Sequence, residues 1–346
     1  GREVLQHREL PLQALAERPP RAVRERQPGQ HRAPIRLANA TQQHDLTLFV
    51  EDLREVVPRE TYRARFSQAR LTLSRRRRRG VLISSAIMRV DLPSGIHLNL
   101  HTRGGGDRTA LLIHGWAVCG DIWSPVLDAW PADGPRLLAP DLRGTGWSSK
   151  PVDGYTLDNY AADIVALIDK LELRDIVLVG HSMGGTIAMK VALARPEHLR
   201  KLVLISPVPA GGVPFKDEEI GFFRSLGGTK AGSEQVLGMM MVSRPSQAAF
   251  ERAVVGMGTV LEEAFFGGFD AWRTANFADQ VGKISAPTLV LGGEKEQPLN
   301  PEVLQAAVVA PIPGARFELL PGVSHYPQLE CTEHLTARLR ALIDEA

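Results

Sequence analysis

The decapeptide Ile176 to Gly185, IVLVGHSMGG, restricts the possible folds of this chain more than any other stretch. A run of Ile, Val and Leu leads into Gly180, and an apolar, helix-like stretch leaves from Met183 and is stopped by Pro196. Gly180 and Gly184 stand two residues either side of Ser182. That spacing predicts a strand, a sharp turn and a helix, with the serine in a strained left-handed-type conformation and no room for side chains beside it. The hydroxyl is then lifted above the end of the sheet, and the helix start aims backbone N–H groups at negative charge developing there. Ser182 is therefore the candidate nucleophile, and the N–H of Met183 a candidate oxyanion donor. The plain alternative is a glycine-rich strand-to-helix turn without chemistry.

The same alternation of strand and helix runs through the chain from Met88 onward. Ile96 to His101 alternates as a strand, and ALLIH at 110–114, Leu137 to Pro140, LVLIS at 202–206, TLVLG at 288–292 and FELL at 317–320 are short apolar runs. Runs without polar alternation suit strands buried on both faces of a parallel sheet. Helical patterns lie between them, at Leu157 to Leu171, Met183 to Ala194 and Thr332 to Ile343. The expected fold class is α/β, a doubly wound, mostly parallel sheet covered by helices. Residues 212–285 break the pattern, with helical segments and no strand. They are expected to form a helical cap over the carboxyl edge of the sheet, where ligands bind in open α/β sheets. The core is then 88–211 and 286–346. Met239, Met240 and Met241 lie in the cap, where methionine fills irregular apolar gaps, either in the cap's own core or over a substrate.

Composition matters here because it divides the chain in two. Residues 1–87 carry 18 Arg, no Lys and 9 Asp plus Glu, a net charge of +9, whereas the remaining 259 residues carry a net −7. Only 3 of the 32 glycines and none of the five Trp precede Met88. A segment so poor in turn formers and large apolar groups is expected to lie outside the folded catalytic unit, as an appended leader or as sequence upstream of a natural start. Leu46 to Val57 alone has helical periodicity, stopped by Pro58. An arginine arm for nucleic acid or a membrane surface is the competing reading, and an organellar presequence is disfavoured by the nine acidic residues. No nucleic-acid partner is expected. No secretory signal pattern and no apolar run near the ~18 residues of a membrane span occur, so a cytoplasmic location is expected. Two cysteines, Cys119 and Cys331, exclude a disulfide-dense scaffold and a four-cysteine zinc site.

A serine hydroxyl needs a base, and the base needs an acid to fix its tautomer. His325, in GVSHYP immediately after the last strand run, is placed for the first role. His97 and His101 fall in early strands, His198 and His334 on helical, surface-type positions, and His181 inside the turn itself. The strand run TLVLGGEKE offers two carboxylates, Glu294 and Glu296, for the second role. A second oxyanion donor is expected from the HGW turn after ALLI, as the N–H of Trp116.

In their order, LLIHGW at 111–116, DLRGTGWSSKP at 141–151, VGHSMGG at 179–185, PTLVLGGEKE at 287–296 and GVSHYPQLE at 322–330 resemble the α/β-hydrolase superfamily. Within it, the chain is similar to the small cofactor-free carboxylesterases and their non-haem haloperoxidase, lactonase and carbon–carbon hydrolase relatives. The resemblance implies a Ser–acid–His triad, no cofactor and no metal, and a small-molecule ester as substrate, with lactone opening, carbon–carbon hydrolysis or a haloperoxidase/perhydrolase side activity as alternatives. Family members usually carry Gly-x-x-Asp at the acid position. Here Gly293 is followed three residues later by Glu296, so the resemblance points to Glu296, with Glu294 as the fallback. Asp141 and Arg143 match a loop that is mainly structural. A short or medium acyl or aryl group is expected beneath Met239 to Met241, Phe222, Phe223, Phe265 and Phe266, with Cys119, Trp123 and Trp147 as further lining candidates. Oligomeric state has no signature in the sequence.

Overall fold

A computed structural model describes residues 86–345 apart from 228 and 298. The Arg-rich stretch and its helical pattern at Leu46 to Val57 thus lie outside the described residues, save Ala86 and Ile87, which open the first strand.

Eight strands form one sheet: β1 (Ala86–Asp91), β2 (His97–Arg103), β3 (Thr109–Ile113), β4 (Arg136–Pro140), β5 (Ile176–His181), β6 (Leu199–Ile205), β7 (Thr288–Gly293) and β8 (Arg316–Leu320). Their spatial order is β1-β2-β4-β3-β5-β6-β7-β8. The β1–β2 and β2–β4 pairs are antiparallel and the other five are parallel. Every residue of β3, β5 and β7 is buried, which is why those strands read as unbroken apolar runs.

The core helices are α1 (Ser124–Ala129), α2 (Leu157–Lys170) and α3 (Met183–Ala194). Thr156 caps α2 by accepting the N–H of Asn159, and Leu157, Tyr160, Ile164, Leu167 and Ile168 form its buried face. Among the described residues, 212–285 contain four α-helices and no strand: α4 (Asp217–Ser225), α5 (Lys230–Met240), α6 (Gln247–Met257) and α7 (Glu262–Arg273). Three further helices, α8 (Pro301–Leu304), α9 (Pro327–Glu330) and α10 (Thr332–Asp344), complete the chain.

Arg252 of α6 reaches Asp121, just before α1, and Asp128 within it, so this helix is tied to the core by ion pairs. His198 departs from its expected surface position. It is buried, with Nδ1 2.8 Å from the Leu173 carbonyl and its ring against Arg174. No helix among the described residues is long and apolar enough to cross a membrane.

Candidate active site

Strand β5 runs straight into the turn at Ser182, which then opens α3. Ser182 sits at φ +54 and ψ −122, a region that costs a non-glycine residue on the order of 1–3 kcal/mol. The surrounding backbone holds it there. Ser182 N–H donates to Ile205 O of β6, and Ser182 O accepts from Gly185 and Val208. The flanking glycines are required by close approach: a Cβ on Gly180 would lie 2.3 Å from Gly184 O, and one on Gly184 would lie 2.5 Å from the carbonyls of Ile113 and His114. The β3 loop is therefore pressed against the turn. A Cβ on Gly115 would come within 2.9 Å of Ser182 Cβ, so the segments carrying the N–H groups of Met183 and Trp116 both touch the serine.

His325 lies in the loop after β8, with Nδ1 2.5 Å from Glu296 Oε1. Both side chains are buried, at 4% and 1% exposure. The other carboxylate oxygen of Glu296 accepts the hydroxyl of Ser206 at 2.5 Å. Glu294 is exposed and turned away, bonded to the N–H of Gly322 and to Lys295. With Nδ1 committed to the carboxylate, Nε2 of His325 is the ring's free basic nitrogen. Among the described residues no direct hydrogen bond joins Ser182 Oγ to this ring. In nucleophile–base pairs free of substrate that bond is often long and closes only in the complex.

Two more histidines, both fully buried, brace these loops. His114 Nε2 accepts the N–H of Leu142, which leaves the proton on Nδ1 to donate to Gly115 O, so the β3 loop is fastened to the loop after β4. Burial holds its pKa down to about 4. His181 Nε2 donates to the carbonyl of His325 at 2.7 Å, while Nδ1 accepts from Gln328 at 3.3 Å. Burial, and secondarily the neighbouring His325, keeps the His181 pKa well below its ordinary value. His181 thus joins the serine turn to the loop that bears His325.

Asp141 and Arg143 do the structural work implied for them. The fully buried Asp141 carboxylate accepts from Gly120 and Trp147 N–H, from Asn99 Nδ2 and from His101 Nε2. Burial opposes its ionisation, but His101 and these donors outweigh burial and hold the pKa below the usual range. Arg143 makes a two-pronged pair with buried Asp163 at 2.6 and 2.7 Å.

The cap meets the site at two places. Trp116 Nε1 donates to Phe265 O of α7 at 2.6 Å, and its ring is surrounded by Phe223, Phe265, Phe269 and Trp272. On the other side, Met240 O accepts the N–H of His325 at 3.1 Å. Met239, Met240 and Met241 are half-buried and packed on the core, whereas Phe222 is 40% exposed and touches the aromatic cluster only through Phe223. Helix α4 turns Phe223 toward Trp116 and leaves the adjacent Phe222 more exposed. Cys119 and Trp123 are buried, with Trp123 edge-on to His181, whereas Trp147 is 61% exposed. A surface groove of about 620 Å³ bounded by Tyr155, Asp158, Lys190, Asp270 and Phe277 includes neither Ser182 nor His325.

Sequence reasoning missed Ser206, Gln328 and Glu330. Only Ser206 left a signal, as a polar residue ending the strand run next to the one that carries the acid.

A family model described as the alpha/beta hydrolase fold matches residues 110–331. Non-heme chloroperoxidase CPO-A1 of Kitasatospora aureofaciens is 31% identical over 254 residues, spanning 64% of this chain and 86% of that protein. A non-heme haloperoxidase of Rhodococcus erythropolis is 29% identical over 238 residues, again 64% and 86%. An esterase from Exiguobacterium antarcticum superposes with a TM-score of 0.68 at 21% identity, covering 74% of this chain and 99% of that one. This last likeness is one of fold.

Proposed function

The chain belongs to the α/β-hydrolase family, in its haloperoxidase-like branch, and on that premise we propose that it hydrolyses carboxylic esters through a Ser182–His325–Glu296 triad. The observation that carries this reading is His325 Nδ1 against the buried Glu296 carboxylate, in a loop bonded directly to the turn that bears a strained Ser182. Glu296 holds the imidazole in the tautomer that leaves Nε2 free, and stabilises the imidazolium that forms when Nε2 takes the Ser182 proton. Ser182 Oγ attacks the ester carbonyl, and the N–H groups of Met183 and Trp116 hold the oxyanion, each contributing on the order of 3–4 kcal/mol. His325 returns the proton to the leaving alcohol. Water, deprotonated by the same nitrogen, then cleaves the acyl-enzyme. The aromatic cluster about Trp116 and the half-buried methionines favour a short or medium acyl or aryl group.

A second reading shares the acyl-enzyme, and the haloperoxidase relatives favour it. Hydrogen peroxide in place of water attacks the acyl carbon, Ser182 leaves with the proton, and the product is a peracid able to oxidise halide. The folded unit is taken to begin with β1 at Ala86, two residues before Met88, with the cap at 212–285. The test is turnover of p-nitrophenyl esters of graded chain length, alongside lactones, by full chain and by Ser182→Ala. Full turnover by the alanine variant removes the mechanism, and turnover of lactones alone removes the esterase assignment. Peracid formation from acetate and peroxide, abolished in the same variant, establishes the second activity.

A further inference from the structure

Glu330 ends α9, five residues after His325, and its carboxylate contacts two parts of the chain that are far apart in sequence. Oε1 accepts the N–H groups of Ser324 and Tyr326, both at 3.1 Å, which are the two residues flanking His325. Oε2 accepts the N–H groups of Val242 and Ser243 at 2.9 and 3.0 Å, in the loop that leaves cap helix α5. A carboxylate that merely closed its own turn would need only the first pair. The second pair reaches 87 and 88 residues back in the chain. Beside it, the N–H of His325 itself goes to Met240 O, two residues before Val242. The cap loop and the base loop are thus joined by three consecutive backbone N–H groups at 324–326, two through one side chain and one directly. All four donors to Glu330 are backbone groups, which no neighbouring side-chain change short of proline removes, and only a full carboxylate satisfies both pairs at once.

We propose that Glu330 is a positioning residue that makes the seat of His325 depend on the seat of the cap. When the cap loop is docked, the residues either side of the base are fixed and His325 is held at the Glu296 carboxylate. When the cap loop lifts, the acceptor of the His325 N–H and the Glu330 bridge go together. The cap then acts on the chemistry as well as on the shape of the substrate site. This rests on the serine-hydrolase reading, and the experiment separates the two.

Fluorophosphonate labelling of Ser182 reports base competence through its rate and the folded fraction through its end point. Wild-type protein that fails to label sinks the serine-hydrolase reading and the Glu330 proposal with it. Given a labelled wild type, kcat per titrated site is expected to fall on the order of ten- to a hundredfold in Glu330→Ala, with KM changed less than about threefold. Glu330→Gln, which keeps one accepting oxygen, is expected to fall in between. Amide exchange should rise together in peptides spanning 240–244 and 322–327 of Glu330→Ala. Unchanged kcat per titrated site, or faster exchange in the base loop alone, overturns the proposal.

Discussion

Ser206 Oγ donates to Glu296 Oε2, the carboxylate oxygen that His325 leaves free. Glu296 therefore has a partner on each oxygen although it is 1% exposed, and a buried carboxylate without such partners is costly. Ser206 follows β6 directly, at φ +43, and its N–H donates to Leu291 O of the neighbouring β7, whose trailing loop carries Glu296.

Glu296→Gln should lower kcat by roughly four orders of magnitude, the scale associated with losing control of the imidazole tautomer. Glu294→Gln removes an exposed carboxylate and should change kcat by no more than about twofold. Steady-state kinetics on one activated ester compares them. The opposite ranking transfers the acid to Glu294.

Ser206→Gly isolates the hydroxyl, because glycine adopts φ +43 without strain. A hydrogen bond to a charged group is worth about 1.5–3 kcal/mol, so kcat/KM should fall roughly tenfold or more and the melting temperature by a few degrees. A variant with full activity would show that Glu296 is positioned without Ser206.

Stability should decline as pH falls from 6.5 toward 4. His114 and His181 are neutral in the fold, with pKa values held down to about 4 and well below 6.5 by burial. In that window the unfolded chain binds the protons and the folded chain does not, so each histidine contributes a slope of up to about 1.4 kcal/mol per pH unit. His101 acts in a different window. Burial opposes its charge, yet Asp141 and Asp121 raise its pKa, so its contribution is complete below 6.5 and is lost only above it. Denaturant melts from pH 4.5 to 7.5 should show the loss, and His181→Asn should flatten it. A flat profile in the wild type contradicts neutral burial.

Phe223→Ala opens space beside Trp116 and should shift the acyl-chain optimum toward longer esters. Phe222→Ser, at an exposed position, should leave the profile unchanged. Chain-length profiles of kcat/KM decide it, and a shift caused by Phe222→Ser would return that residue to the site.

Local signals made a large part of this protein legible. The apolar runs of β3, β5 and β7 mark strands buried on both faces, and Gly180 and Gly184 mark a turn that admits no Cβ. Met183–Ala194 coincides with the helix read from its pattern, because a glycine turn and a proline bound it on either side. A missing strand at 212–285 was enough to expect a cap.

Other features exist only through contacts between distant segments. Strand and loop pattern alone do not separate Glu294 from Glu296, only the family resemblance favours Glu296, and the β7 end sends the first to solvent and the second to His325. Phe222 and Phe223 are neighbours on one helix, so the packing of α4 against Trp116 selects the inward ring. Glu330 gives no local sign of its reach, since two of its four donors belong to a loop 87 and 88 residues earlier. The sequence by itself determined the fold and the candidate for the nucleophile, because turn sterics and strand burial are encoded over a few consecutive residues. Tertiary structure decided the acid's partners and the fastening of the cap to the base, because those bonds join groups brought together only when the sheet and its insertion are assembled.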